Sequence, residues 1–200
     1  MSSTNRGYDR HASDYYVTPI QPIYDFFNAF LAAESEAPEY IKIIQQPDKG
    51  VWLDPCAGGD EKHPMSYPTV IRDLFDPYSL NTLDIREDSL ARDKGDYLKL
   101  KLAFKPNFII TNPPFYLAKE IIEKALDDVA DGGYVIMLLR LNFLGSRGRY
   151  EFWQKHMPKY IFVHHQRMSF TENKATDSIE YAHFVWQKGF NPDCSELAII

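Results

Sequence analysis

Cysteine is almost missing from this chain. Two thiols, Cys56 and Cys194, build no disulfide framework and lack the paired spacing of a zinc site. Such usage suits a reducing cytoplasm. Long apolar runs are missing as well: nothing approaches the roughly 18 residues of a membrane helix, and the polar start from Met1 to Asp14 lacks the blocks of a signal peptide. Neither G-x-G-x-x-G nor Gly-Lys-Ser/Thr occurs, which counts against dinucleotide and P-loop triphosphate sites. No Gly/Ser/Pro linker and no internal repeat divides the chain, so the expectation is a polar, mobile segment over 1–13 and one domain over 14–200. No ligand cluster for a metal is present; the six histidines, His164 and His165 among them, read as core or surface groups.

Positive charge is in short supply. A net charge of -6 argues against a protein that coats nucleic acid through bulk electrostatics. The distribution is uneven, however. From Arg140 to Lys174 seven Lys and Arg residues stand against Glu151 and Glu172, leaving this stretch at +5 and the remainder at -11. One basic zone sits on an acidic body.

Apolar residues are plentiful, at 44% of 200 positions, enough to fill one core. Thr18 is placed to cap a helix with Pro19 as its first residue, and Ile23, Phe26, Phe27, Phe30 and Leu31 follow at helical spacing, with Pro38 beyond the end. Val51 to Leu53 reads as a short strand, Thr82 to Ile85 as a second and Phe108 to Thr111 as a third. A helix with Ala118, Ile121, Ile122, Ala125 and Val129 on one face ends at Asp131-Gly132-Gly133. Tyr134 to Leu139 is apolar throughout, as a strand covered on both faces must be. A short helix over roughly 149–157, strands at 160–163 and 181–186, and a terminal strand over 197–200 complete the pattern. The alternation predicts a doubly wound α/β sheet, mostly parallel and closed by an antiparallel strand pair.

In such sheets ligands bind beyond the carboxyl ends of the strands. Three strand ends carry polar signals. Asp54-Pro55-Cys56-Ala57-Gly58-Gly59-Asp60 is a glycine-bearing loop that a ligand can approach closely. Asp84 can accept hydrogen bonds from ribose hydroxyls, and Asp96 one from an adenine amino group. Asn112-Pro113-Pro114-Phe115 is the third. Its prolines have no N–H and fixed φ, so the turn is rigid and rich in acceptors. Two acceptors at one point can take both protons of an exocyclic amine, drawing it toward tetrahedral geometry and stabilising the charge that develops during attack. Phe115 offers a face for a planar base, a contact worth about 1–3 kcal/mol.

These motifs, in this order, resemble the S-adenosylmethionine-dependent amino-methyltransferases, and specifically the DNA adenine-N6 methyltransferases of bacteria and phages, over roughly residues 14–188. The resemblance implies a class I, Rossmann-like methyltransferase fold with S-adenosylmethionine as cofactor, DNA as partner and the target adenine flipped out of the duplex. It implies Tyr16, Thr18, Pro19, Asp54, Cys56 and Gly58 around the methionine part of the cofactor, Asp84 at its ribose and Asp96 at its adenine. Asn112, Pro113, Pro114 and Phe115 match the catalytic motif without gaps. Leu139 to Ser146 and Arg167 to Thr171, followed by Thr176-Asp177-Ser178, are similar to phage-type segments that frame the target, which implies Arg140, Asn142, Ser146, Arg147, Arg149, Arg167, Ser169, Phe170 and Thr171 as substrate-facing residues. Met168 replaces a more usual proline, His183 stands where an aromatic is expected, and the first loop departs from the family's fuller Gly-x-Gly pattern. A separate target-recognition domain is not expected after Lys188, so site reading falls to loops, a homodimer or a partner subunit. RNA adenine-N6 and protein glutamine-N5 methylation use the same turn, and a non-catalytic cofactor-binding subunit is a third alternative; the late segments favour DNA, and the intact turn disfavours an idle subunit.

Overall fold

The computed structural model describes residues 16–35, 50–170 and 179–200. The 1–13 segment, Pro38, Thr171 and the Thr176-Asp177-Ser178 stretch lie outside them.

Among the described residues eight strands make one sheet: β1 (Val51–Asp54), β2 (Ser79–Asp84), β3 (Asp93–Lys94), β4 (Phe108–Thr111), β5 (Tyr134–Arg140), β6 (Tyr160–Val163), β7 (Tyr181–Gln187) and β8 (Glu196–Ile199). Their order is β3-β2-β1-β4-β5-β7-β6-β8. Pairing is parallel from β3 through β5; β7 is antiparallel to both β5 and β6, and β8 is parallel to β6. The expected mostly parallel sheet with an antiparallel strand near its C-terminal end is therefore present.

Helices cover both faces. Alternate residues of the central strands point to opposite sides. On one side Phe108, Ile110, Tyr134, Ile136 and Leu138 pack with Ile23, Phe26, Phe27 and Phe30 of α1 (Ile20–Ser35) and Val70 and Ile71 of α2 (Ser66–Phe75). On the other Ile109, Val135, Met137 and Leu139 meet Ile121, Ile122 and Ala125 of α3 (Ala118–Asp128) and Phe152 and Trp153 of α4 (Tyr150–Lys155). Burying each such side chain contributes about 1.5–3 kcal/mol, so the two apolar layers hold the strand ends in fixed relation.

The helices differ from expectation in three ways. Helix α1 begins at Ile20, one residue after Pro19, its expected first residue. Helix α4 is shorter than 149–157: a 3-10 turn over Arg147–Arg149 precedes it, and Pro158 disfavours helical geometry at Met157. Helix α2 was not anticipated at all.

Candidate active site

Strand β1 has β2 on one side and β4 on the other, so the chain reverses its direction of strand addition there. The carboxyl ends of β1 and β4 consequently open a crevice at the switch point. It holds a cavity of about 410 Å³, within the range of small-molecule sites.

The first wall is the loop after β1. Gly58 and Gly59 have φ of +63° and +76°, a region costly for other residues. At Gly59 a Cβ would come within 2.9 Å of the Met65 side chain. The Gly58 N–H donates to Asp84 Oδ2 at 2.7 Å, and the Arg86 N–H donates to Asp84 Oδ1 at 2.8 Å. Asp84, buried at the end of β2, thus anchors the loop while lining the cavity, and each of its oxygens retains a further lone pair. Asp96 also lines the cavity; its Oδ2 pairs with Lys99 Nζ at 3.0 Å and its Oδ1 accepts from the Leu98 N–H at 3.1 Å. The Lys99 hydrogen bond is the main cause of an Asp96 carboxyl held below its ordinary value.

Two expected cofactor residues do not reach the cavity: Asp54 and Pro19 are absent from its lining. Asp54 is 1% exposed and lies beneath the loop, its Oδ1 accepting from the Cys56 N–H at 3.2 Å. Burial raises its carboxyl to about 7; the Thr111 hydroxyl and the Cys56 N–H oppose this, and Asp84 adds to it. Cys56 does line the cavity, and burial, reinforced by Asp54 and Asp84, pushes its thiol up. It is a neutral packing group.

The facing wall is the turn after β4. Asn112, Pro113, Pro114 and Phe115 all line the cavity, together with Tyr16 and Thr18. Asn112 Nδ2 donates to Thr18 Oγ1 at 3.0 Å, which fixes the amide. Asn112 Oδ1 is shielded from water and has no hydrogen-bond partner among the described residues. Phe115 starts a 3-10 turn, Phe115–Leu117, that runs directly into α3. Its ring lies under the Arg140 guanidinium, 4.6 Å from centroid to Cζ, and 5.9 Å from the Tyr181 ring. Phe170 extends this aromatic group, 4.9 Å from Tyr181 and 6.4 Å from Tyr16.

The expected substrate-facing residues divide. Arg140 and Phe170 adjoin the aromatic group, and Ser169 is half-buried beside Phe170. Asn142, Ser146 and Arg147 are exposed on the turns after β5. Arg149 is committed within those turns: its Nε donates to the Phe143 carbonyl at 2.7 Å and its guanidinium covers the Phe143 ring at 4.5 Å. Arg167 pairs loosely with Glu180 at 3.7 Å. The basic zone is also less superficial than its sequence implies. Lys159 is buried, 2.6 Å from Glu34 on α1.

Sequence reasoning missed the wall contributed by α2. Ser66 and Tyr67 line the cavity from its first turn, Ser66 donating to the Thr18 carbonyl at 2.7 Å. The spacing of Tyr67, Val70 and Ile71 was the available signal. Tyr67 Oη is 2.9 Å from His183 Nε2, and His183 Nδ1 is 2.7 Å from His164 Nε2. Burial depresses both imidazoles, His164 to about 4. The histidine that stands in an aromatic position accordingly stays neutral and stacks on Phe26 at 4.2 Å. Among the described residues no group of three His, Cys, Asp or Glu side chains is placed to hold a metal, and no helix is long and apolar enough to cross a membrane.

No protein-family model and no curated protein matches the chain by sequence. Solved structures do match in fold. A Listeria monocytogenes chain classed as a class I S-adenosylmethionine-dependent methyltransferase superposes with a TM-score of 0.64 at 16% identity, over 92% of this chain and 65% of that one. This chain thus spans a little under two thirds of that protein. A Pyrococcus horikoshii chain classed as an RNA methyltransferase gives 0.62 at 13% identity, over 89% of both. The type IIG restriction endonuclease BpuSI gives 0.63 at 12% identity, over 94% of this chain and 27% of that one. The fold is that of the class I methyltransferases.

Proposed function

We propose that this chain is an S-adenosylmethionine-dependent methyltransferase acting on the N6 amine of adenine in DNA. The observation that carries the reading is Asn112: its amide is oriented by Thr18, and its Oδ1 is a buried acceptor without a partner in the wall of a switch-point cavity. A buried acceptor left unmatched is costly, and an amine donor relieves that cost. The opposite wall suits the cofactor. The Gly58-Gly59 cradle admits close approach, Asp84 offers remaining lone pairs to ribose hydroxyls, and Asp96 lies farther along the same wall. When bound, S-adenosylmethionine supplies a methyl group on a sulfonium, a leaving group that requires no Lewis acid.

The residues of the chain then have distinct tasks. Asn112 Oδ1 and the Pro113 carbonyl accept the two amine protons and draw the nitrogen lone pair out of conjugation. Phe115 supports the base from its face, and Arg140 and Tyr181 hold Phe115. The chain's own part in the transfer would be to hold the amine nitrogen with its lone pair exposed, Asn112 Oδ1 and the Pro113 carbonyl keeping its protons until one passes to water. DNA is favoured by the late segments that resemble those of phage-type members. Target recognition would come from the turns at 141–149, from a second copy or from a partner subunit.

The test is incubation of purified protein with labelled cofactor and, in parallel, duplex DNA, single-stranded DNA, RNA and protein extract, followed by nucleoside and amino-acid analysis. Label in N6-methyladenine from DNA is the expected result. Label confined to cytosine, RNA or glutamine overturns it.

A further inference from the structure

The carbonyl of Thr18 is short of a donor from its own helix. The N–H four residues on, which α1 could have offered it, does not exist, because residue 22 is proline. Helix α2 supplies the donor instead: Ser66 Oγ donates to the Thr18 carbonyl at 2.7 Å, and both residues are buried. Among the described residues no backbone–backbone hydrogen bond outside the helices and strands involves residues 16–18. Buried carbonyls are almost always paired, so the Ser66 bond decides where the Thr18 backbone rests. Helix α2 is a firm anchor for it, with Tyr67, Val70 and Ile71 in the core.

We infer that Ser66 is a positioning residue: by holding the Thr18 backbone it keeps the Thr18 hydroxyl on Asn112 Nδ2, and so keeps Asn112 Oδ1 as the acceptor in the cavity wall. This rests on the reading of Asn112 as the amine acceptor. The two ends of an amide are unlike. An Asn112 amide free to turn over would meet the substrate amine donor to donor, and the substrate nitrogen would lose one of the acceptors that expose its lone pair. Thr18 Oγ1 prevents this by occupying the Nδ2 end at 3.0 Å. Without Ser66 the Thr18 carbonyl is left unmatched in a buried wall, which is costly. The segment moves to relieve that cost, and the hydroxyl moves with it, away from the amide. Ser66 therefore acts on the amine through Thr18 and Asn112 in turn.

The experiment is a double-mutant cycle in the full chain, Ser66→Ala and Thr18→Val singly and together. Each variant is measured for steady-state methylation of duplex DNA with labelled cofactor and for cofactor affinity by calorimetry, which also shows that it is folded. Ser66→Ala is expected to lower kcat roughly 3-fold to 10-fold, the worth of one neutral hydrogen bond, with KM for DNA and cofactor affinity changed by less than about 2-fold. In Thr18→Val the hydroxyl is already gone, and adding Ser66→Ala is expected to lower kcat no further. A serine that merely fills the wall or supports the fold costs the same factor in both backgrounds, as independent sites do. That result overturns the inference, as does Ser66→Ala with an unchanged kcat or with a loss confined to cofactor affinity. A wild type that methylates no adenine overturns the proposed function as well.

Discussion

At the residue scale the decisive contact joins positions 94 apart in sequence, Asn112 to Thr18. Asn112→Ala is expected to abolish methyl transfer while calorimetric cofactor affinity stays nearly unchanged, because the acceptor and cofactor walls are distinct. Thr18→Val removes the anchor and frees the amide to rotate, so kcat should fall roughly 5-fold to 30-fold, the worth of one hydrogen bond to a positioned group. Asp54 makes a different kind of prediction. Its carboxyl titrates near 7 when folded and in the usual carboxylate range when unfolded, so the folded state binds the extra proton between those values. The stability from that proton is complete below about pH 4 and is lost as pH rises through about 7, a span on the order of 4 kcal/mol for a fully buried group. Asp54→Asn should therefore gain stability on wild type between pH 5 and pH 8 in urea titrations, and an unchanged difference would count against the assignment.

At the scale of elements, legibility followed the range of the cause. Strand β4 and its turn were readable because Phe108–Thr111 and Pro113-Pro114 act locally, through apolar run and fixed φ. Helix α2 carries only a short signal, the spacing of Tyr67, Val70 and Ile71 with Pro68 inside the first turn, and it is held by tertiary packing of those three residues. The placement of Asp54 beneath its loop rather than in the cavity was equally hidden, since the motif specifies the strand end but not which way the carboxylate turns. The basic zone conceals a buried cation, Lys159, because its partner, Glu34, is 125 positions away. That pair ties α1 to the start of β6. Lys159→Met leaves Glu34 buried without its cation and should cost roughly 3–5 kcal/mol in chemical denaturation, with Glu34→Gln/Lys159→Met recovering much of the loss.

Over the whole molecule, the sequence-level charge zone divides into cations already engaged and cations still available. Lys159 and Arg149 are engaged, whereas Arg147 is exposed. If DNA is the partner, Arg147→Ala should reduce the slope of log affinity against log salt by about 0.9, the contribution of one phosphate contact, and Lys159→Met should leave that slope unchanged. The doubly wound order was legible from alternating strands and helices. The insertion of β7 between β5 and β6 was expected only as an antiparallel closure, since register is a property of the assembled sheet. Its consequence concerns the order in which function can appear during folding. Both neighbours of β7 precede it in the chain, so the central gap in the sheet is filled by a strand synthesised after them. Tyr181, the first residue of that strand, is also the ring behind Phe115. A nascent chain that has made every residue of the Asn112 turn still lacks the support of its aromatic platform; closing the sheet and finishing the site are one event.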